Sequence, residues 1–280
     1  MSVKIDYKSI PRSYRDYLDL MVSKGEYLAI DDEIDWNLEM GAICRHADET
    51  LSPSPIFNKV KDSPGFRAAE WGFTKSGTLG QPWSRVAPNV GAPLDSTLME
   101  ILEAYQHSIE NNPVHPPIIV ENKDAPCKEN IWVGDEVDLN KLPVALQHVG
   151  DAERMLQSCG VNTVQTPDGK WTNWSINRSA VHDKNTMKGY WMETQHNGQI
   201  FQMWQKEGKG DMPFAIAFGV PPVCAWQSSS RIPDFVDHYD VASQMLNAPI
   251  EMVKCETNDL MVPATSEVVI EGFVSLTETL

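Results

Sequence analysis

Hydrophobic positions recur at helical spacing over residues 11–24, where Tyr14, Tyr17, Leu18 and Met21 share one side and Gly25 follows as a stop. Tyr27-Leu28-Ala29-Ile30 then reads as a strand. A second helix is predicted over residues 36–50, with Trp36, Met40, Ile43 and Ala47 on one side and Pro53 and Pro55 closing it off. Short strands are predicted over 55–60 and 65–71. Residues 77–93, rich in Gly, Pro and Ser, read as loop. Asp95 is the predicted N-cap of a helix over 96–110. The stretch from Asn111 to Pro117 reads as a linker, which divides an N-terminal α/β unit (residues 1–117) from a second domain (residues 118–280).

The second section is strand-rich. A strand over 161–165, a turn at Pro167-Asp168-Gly169 and a returning strand over 171–182 predict a hairpin. A turn at Asp183-Lys184-Asn185 leads to a strand over 189–194. A helix over 198–207, a strand over 214–218, a helix opened by Pro233 and Asp234 and running to Leu246, and strands over 250–254 and 267–276 complete the reading. The expected class is α+β, with an antiparallel, partly closed sheet. No G-x-G-x-x-G or P-loop motif is present, so ordinary dinucleotide and P-loop readings have no support.

Of the 280 residues, 41% are hydrophobic and 22% charged, and nine Trp and eight Phe exclude a disordered chain. The net charge of -16 repels phosphate backbones and anionic lipid, so neither nucleic acid nor a membrane is expected as a partner. The five cysteines are widely spaced without a C-x-x-C pair, which suits free thiols in a reducing compartment. The first residues are charged, and no apolar run reaches the ~20 residues of a membrane helix, so a cytoplasmic location is expected.

Three segments concentrate polar groups in apolar surroundings. In Trp171-Thr172-Asn173-Trp174-Ser175-Ile176-Asn177-Arg178, strand alternation turns Asn173, Ser175 and Asn177 one way and Trp174, Ile176 and Arg178 the other. That face either lines a site or is the solvated side of a hairpin. Gln195-His196-Asn197-Gly198 stands at a strand-to-helix junction, where backbone N–H groups can hold phosphate and a neutral His can bind metal; a capping or packing role is the alternative. Ser228-Ser229-Ser230-Arg231 precedes Asp234 and His238, which at i, i+4 would share a helix face. These could bind a phosphate–metal unit or form a surface loop and a solvated helix.

Taken together the chain resembles the UbiD family, and within it the fungal ferulic (phenylacrylic) acid decarboxylases. The resemblance rests on Trp171 to Ile176 with Arg178, on Gln195-His196, Gln202-Met203-Trp204 and Phe218-Gly219-Val220-Pro221-Pro222, and on the run from Val253 to Glu267. It runs more weakly back through Ala125-Pro126-Cys127-Lys128 to Glu33-Ile34-Asp35. The resemblance implies a split β-barrel that binds prenylated FMN, with Mn²⁺ (and often K⁺) joining the cofactor phosphate to Asn173, His196 and the residue at position 238. Ser158, Ser175, Ile176, Asn177, Arg178, Gln195, Ser228 and Ser229 match cofactor-pocket positions, and Arg231 stands where the family usually has Pro beside the flavin.

The implied reaction is decarboxylation of an α,β-unsaturated acid, in which Arg178 matches the arginine of a Glu–Arg–Glu arrangement that handles the proton. In the family a Gly/Pro-rich segment carrying both glutamates follows, so a shortened relative is expected, and neither Glu271 nor Glu278 matches those positions. His238 replaces the metal-binding Glu of the family with a neutral, softer ligand. Three readings follow: a decarboxylase acting on a small carboxylic acid, a pocket repurposed for another reaction in secondary metabolism, and a non-catalytic partner subunit. A homo-oligomer is compatible with each.

Overall fold

The structure, a computed structural model, describes residues 4–71, 73–157 and 159–277. Helix α1 (Tyr14–Ser23) starts at a capping box in which the Ser13 hydroxyl accepts the Asp16 N–H and the Asp16 carboxylate accepts the Ser13 N–H. Its Tyr17 and Met21 pack on Tyr27 of β1 (Tyr27–Ile34) and on Ile56. Helix α2 (Glu39–Glu49) lays Met40 against Ile34, Phe57 and Val60, with Trp36 and Ile43 alongside. Strand β2 (Ser54–Val60) pairs parallel to β1 and antiparallel to β3 (Ala68–Ala69). The expected strand over 65–71 thus shrinks to two residues. Helix α3 (Leu98–Asn111) begins at Thr97 rather than at Asp95, because Thr97 and Glu100 satisfy each other's backbone N–H groups.

Residues 77–93 form no strand or α-helix, yet Ser84 to Ala92 are buried. The cause is an ion pair inside the unit. Arg85 Nε donates to Glu26 Oε2 at 3.0 Å, with both side chains at most 3% exposed. The remaining capacity of both groups is filled. Ser76, Thr78 and Ser84 hydroxyls donate to Glu26 Oε1, and Arg85 donates to Ser54, Thr74 and the Ser52 carbonyl. Burial pushes the Glu26 carboxyl up, but these donors outweigh it and hold it below the usual glutamate value.

Beyond β4 (Ile118–Ile119) lie β5 (Met155–Gln157), β6 (Val161–Gln165), β7 (Thr172–Ser175), β8 (Ser179–Val181) and β9 (Met187–Gly189). They are followed by α4 (His196–Glu207), β10 (Met212–Phe218), α5 (Pro222–Ser228), α6 (His238–Leu246), β11 (Glu251–Lys254), β12 (Met261–Pro263) and β13 (Val268–Val274). One antiparallel sheet runs β13-β10-β6-β7, a second β5-β8-β9, and a third joins β12, β11 and β4. The predicted hairpin turn is present, with Gly169 at φ +72°. Among the described residues no sheet closes into a barrel. No described helix is long and apolar enough to cross a membrane.

Four expectations need correction. The returning strand over 171–182 is two strands in two sheets, because residues 176–178 leave the ladder between β7 and β8. The strand expected over 189–194 ends at Gly189, where β9 stops. The helix expected from Pro233 starts only at His238, since Phe235 adopts a left-handed φ of +61° that no α-helix accommodates. Helix α5 covers a segment with no predicted element, and its Val223, Cys224 and Ala225 are fully buried.

One core joins the two sections. Ile10, Val86, Val90, Ile101 and Ala104 pack in the same buried cluster as Trp174, Ala215, Val223, Met245 and Val253. Glu26→Ala would leave the Arg85 guanidinium buried without its counter-charge. We expect it to remove about 3–5 kcal/mol of stability in urea unfolding, with faster hydrogen exchange over residues 74–92.

Candidate functional site

The predicted polar face of β7 is buried. Asn173 is 1% exposed and Asn177 7%, which rules out the solvated-face alternative. What covers it is the start of α4, and the buried amides satisfy one another in a directed chain. Asn173 Nδ2 donates to Asn197 Oδ1 (2.6 Å), and Asn197 Nδ2 donates to Asn177 Oδ1 (2.8 Å), which also accepts from the Ser175 hydroxyl (2.5 Å). With its amide nitrogen committed, Asn173 turns Oδ1 to His196 Nδ1 at 3.0 Å. The bend that takes residues 176–178 out of the strand brings Asn177 into this chain.

His196, the first residue of α4, also places Nε2 2.9 Å from Asp234 Oδ1. Its ring stacks edge-on against Trp171, centroids 4.9 Å apart, and lies 6.4 Å from the His238 ring. Asp234 and His238 therefore meet His196 from a loop and from the start of α6, and do not share a helix face.

Asp237, the N-cap residue of α6, accepts the Thr172 N–H at 2.6 Å and the Tyr239 hydroxyl, fastening α6 to β7. His238 itself is 2% exposed. Its Nδ1 accepts the Trp174 N–H at 3.3 Å, which leaves the proton on Nε2, facing the Ser230 carbonyl at 3.4 Å. Burial, with the neighbouring His196 adding to it, pushes the His238 pKa down to about 4.

The other predicted residues spread around this cluster. Arg178, Gln195, Ser229 and Arg231 are exposed, and Ser175 and Ile176 are half-buried. The Ser228 and Ser229 hydroxyls both donate back to the Ala225 carbonyl at the end of α5. Ser158 and Glu278 lie outside the described residues. Glu271 accepts the N–H groups of Glu256 and Thr257, away from the cluster. Asn197 and Asp237 complete the cluster; both stand in the polar segments picked out from the sequence, which assigned neither a role.

Of the three expected metal ligands, Asn173 lies beside His196 at 3.0 Å and the His238 ring 6.4 Å from that of His196. Asn173 and Asp234 stand at opposite nitrogens of His196, and both His238 nitrogens are engaged by backbone. Among the described residues no group of three or more His, Cys, Asp or Glu side chains is arranged to hold a metal ion. The arrangement suits an anion better. Gln195 makes no side-chain cap to α4, which leaves the N–H groups of that helix's first turn without a side-chain acceptor.

This arrangement of helices against a mixed set of sheets is the fold of known UbiD-class enzymes. The evolved dimeric form of the UbiD-class enzyme HmfF from Pelotomaculum thermopropionicum, in complex with prFMN, superposes with a TM-score of 0.81 at 28% identity, over 94% of this chain and 57% of that one. Vanillic acid decarboxylase from Sedimentibacter hydroxybenzoicus shares the fold at a TM-score of 0.84 and 22% identity, over 94% of this chain and 54% of that one.

The sequence model of the 3-octaprenyl-4-hydroxybenzoate carboxy-lyase Rift-related domain (UbiD) matches residues 118–280, and that of the carboxy-lyase N-terminal domain matches 18–105. The chain belongs to the UbiD family. Ferulic acid decarboxylase 1 of Saccharomyces cerevisiae is 39% identical over 278 residues, and pyrrole-2-carboxylic acid decarboxylase of Pseudomonas aeruginosa 34% over 267. Each alignment takes in 95% of this chain and 53% of the relative, so the chain spans about half the length of the curated relatives it matches.

Since His238 is neutral in the fold and takes up a proton near pH 6.5 when unfolded, its contribution is complete above that pH. It falls by on the order of 3 kcal/mol as the pH drops towards 4. Urea unfolding between pH 4 and 8 should show this slope, and His238→Asn should flatten it.

Proposed function

We propose that this chain forms the cofactor-binding part of a prenylated-FMN-dependent decarboxylase acting on an α,β-unsaturated aryl or alkenyl acid. The observation that carries the reading is the α4 start, without a side-chain cap, set against the buried chain Asn173–Asn197–Asn177. A phosphate there would take the free N–H groups of the first helical turn. The orphaned, buried Asn162 Oδ1 lies on the Ser175 side of β6 and β7, where those residues are directly paired, and offers an acceptor to a bound group. Ser175, Asn177, Arg178, Gln195 and His196 would hold the phosphate end, with Ser158, Ile176, Ser228, Ser229 and Arg231 along the rest of the cofactor. The β13-β10-β6-β7 and β5-β8-β9 sheets would be the two parts of a split barrel, with the break between β7 and β8 as its seam.

Bound in that place, prenylated FMN supplies the electron sink for loss of CO₂. The protein's work is positioning. Arg178, exposed and permanently charged, draws the substrate carboxylate and orients it. A guanidinium does not give up its proton, so the hydrogen that replaces CO₂ on the substrate carbon comes from a carboxyl group paired with Arg178, or from water. Asp237 and the amide chain hold β7, α4 and α6 in register around the site. The Asn173, His196 and His238 set has a neutral imidazole in place of a carboxylate, which weakens its hold on a hard divalent ion, and no step is assigned to manganese or potassium. His238 in place of a carboxylate favours a second reading, a UbiD-type pocket that binds flavin and does not decarboxylate.

Co-expression with a flavin prenyltransferase tests both readings. The proposal expects prenylated FMN in the purified protein and CO₂ release from cinnamic acid, lowered about 10²–10³-fold by Arg178→Ala. Flavin without CO₂ release from any acrylate supports the second reading, and no flavin overturns both. Elemental analysis of the same protein should find clearly less than one manganese per chain, and His238→Glu should raise it.

A further inference from the structure

A cavity of about 640 Å³ opens between the β6–β7 hairpin turn, the last turns of α4 and the loop ahead of α6. Pro167, Met203 and Phe235 supply its apolar surface. Trp171, whose ring lies 5.0 Å from that of Phe235 and 4.9 Å from that of His196, forms the wall it shares with the candidate cluster. None of the amide, imidazole or carboxylate groups of that cluster enters it. Its volume suits a ring-bearing small molecule.

Phe235 is costly where it stands. Its ring is 70% exposed, and its backbone holds the left-handed φ of +61° that a bulky residue seldom adopts. The fold nevertheless fixes it, because Trp171 Nε1 donates to the Val236 carbonyl at 3.1 Å and the two rings pack together. Four charged side chains also line the cavity, and three of them are engaged. Asp168 accepts the Thr166 hydroxyl and the Lys170 N–H, and faces Lys170 Nζ at 3.4 Å. Glu207 pairs with Lys209 at 3.1 Å. Lys206, on the last turn of α4, makes no ion pair among the described residues. The wall therefore offers an exposed aromatic face and one uncompensated positive charge.

We propose that this cavity is a second binding site, for an aromatic monoanion whose ring packs on Phe235 and Met203 and whose charge meets Lys206. The ring covers the exposed Phe235 face, and the Met203 sulfur adds a favourable contact with an aromatic edge. The anion supplies the counter-charge that Lys206 lacks, while Asp168 and Glu207 keep theirs. A ligand seated here borders the candidate cluster through Trp171 and does not enter it. The site is complete in the chain without flavin, so it stands or falls separately from the decarboxylase reading.

The probe is 3-phenylpropionate, with 3-phenylpropan-1-ol and 3-phenylpropylamine as its neutral and cationic counterparts, titrated calorimetrically into the flavin-free full chain at neutral pH. The acid should bind about fivefold more tightly than the alcohol, the worth of one solvated charge pair. Lys206→Gln, or salt at about 1 M, should remove that advantage and leave the alcohol unaffected. Phe235→Gly keeps the left-handed backbone without strain, so it should unfold no earlier in urea yet weaken acid and alcohol alike at least about tenfold. Arg178→Ala, which alters the candidate active site, should leave acid binding here unchanged. Alcohol or amine binding as tight as the acid would overturn the proposal. So would an acid affinity that survives Lys206→Gln or Phe235→Gly, one that is lost with Arg178→Ala, or no acid binding at millimolar concentration.

Discussion

Polar groups placed where water cannot reach them must satisfy one another, and that constraint shapes the centre of this molecule. Three asparagines, two histidines and two aspartates meet where β7, α4 and α6 come together, and the hydrogen bonds have a fixed direction. Asn177 accepts twice, so Asn197 must donate to it, which turns Asn197 Oδ1 to Asn173 and Asn173 Oδ1 to His196. A slip of one residue in β7 would turn Asn173 into the apolar cluster around Trp174 and strand every partner. The backbone of β7 fixes the tautomer of His238, which accepts the Trp174 N–H and keeps its proton on the far nitrogen.

The N-terminal unit solves a similar problem with charge. Glu26 and Arg85 are costly to bury singly, and together they are covered by five side-chain hydroxyls and a backbone carbonyl. This converts a segment without strand or α-helix into part of the core. Val86 and Val90, just beyond Arg85, then reach the cluster that contains Trp174 and Met245. The N-terminal unit is thereby joined to the region that carries the candidate site.

Much of the fold was legible because helical and alternating spacings reflect which face meets the core. Tyr17 and Met21 mark α1, Met40 and Ala47 mark α2, and Gly169 marks the hairpin turn. The misses have local physical causes. Thr97 wins over Asp95 as a cap because Glu100 can reciprocate, and Phe235 in a left-handed conformation delays α6. The candidate site was legible as residue types and as a family resemblance. Its connectivity was not, since Asn173 and His196 are 23 residues apart and His196 and Asp234 are 38 apart.

The sequence by itself determined the class of elements, the family, and the positions where buried polar chemistry concentrates, because side-chain periodicity and motif identity are local properties. The tertiary structure alone decided that the β7 face is buried, that Asp234 and Asn173 take opposite nitrogens of His196, and that His238 is locked by backbone. These outcomes depend on which distant groups arrive at the same point and on how much water they exclude, and hydrogen-bond direction and desolvation are properties of the packed chain.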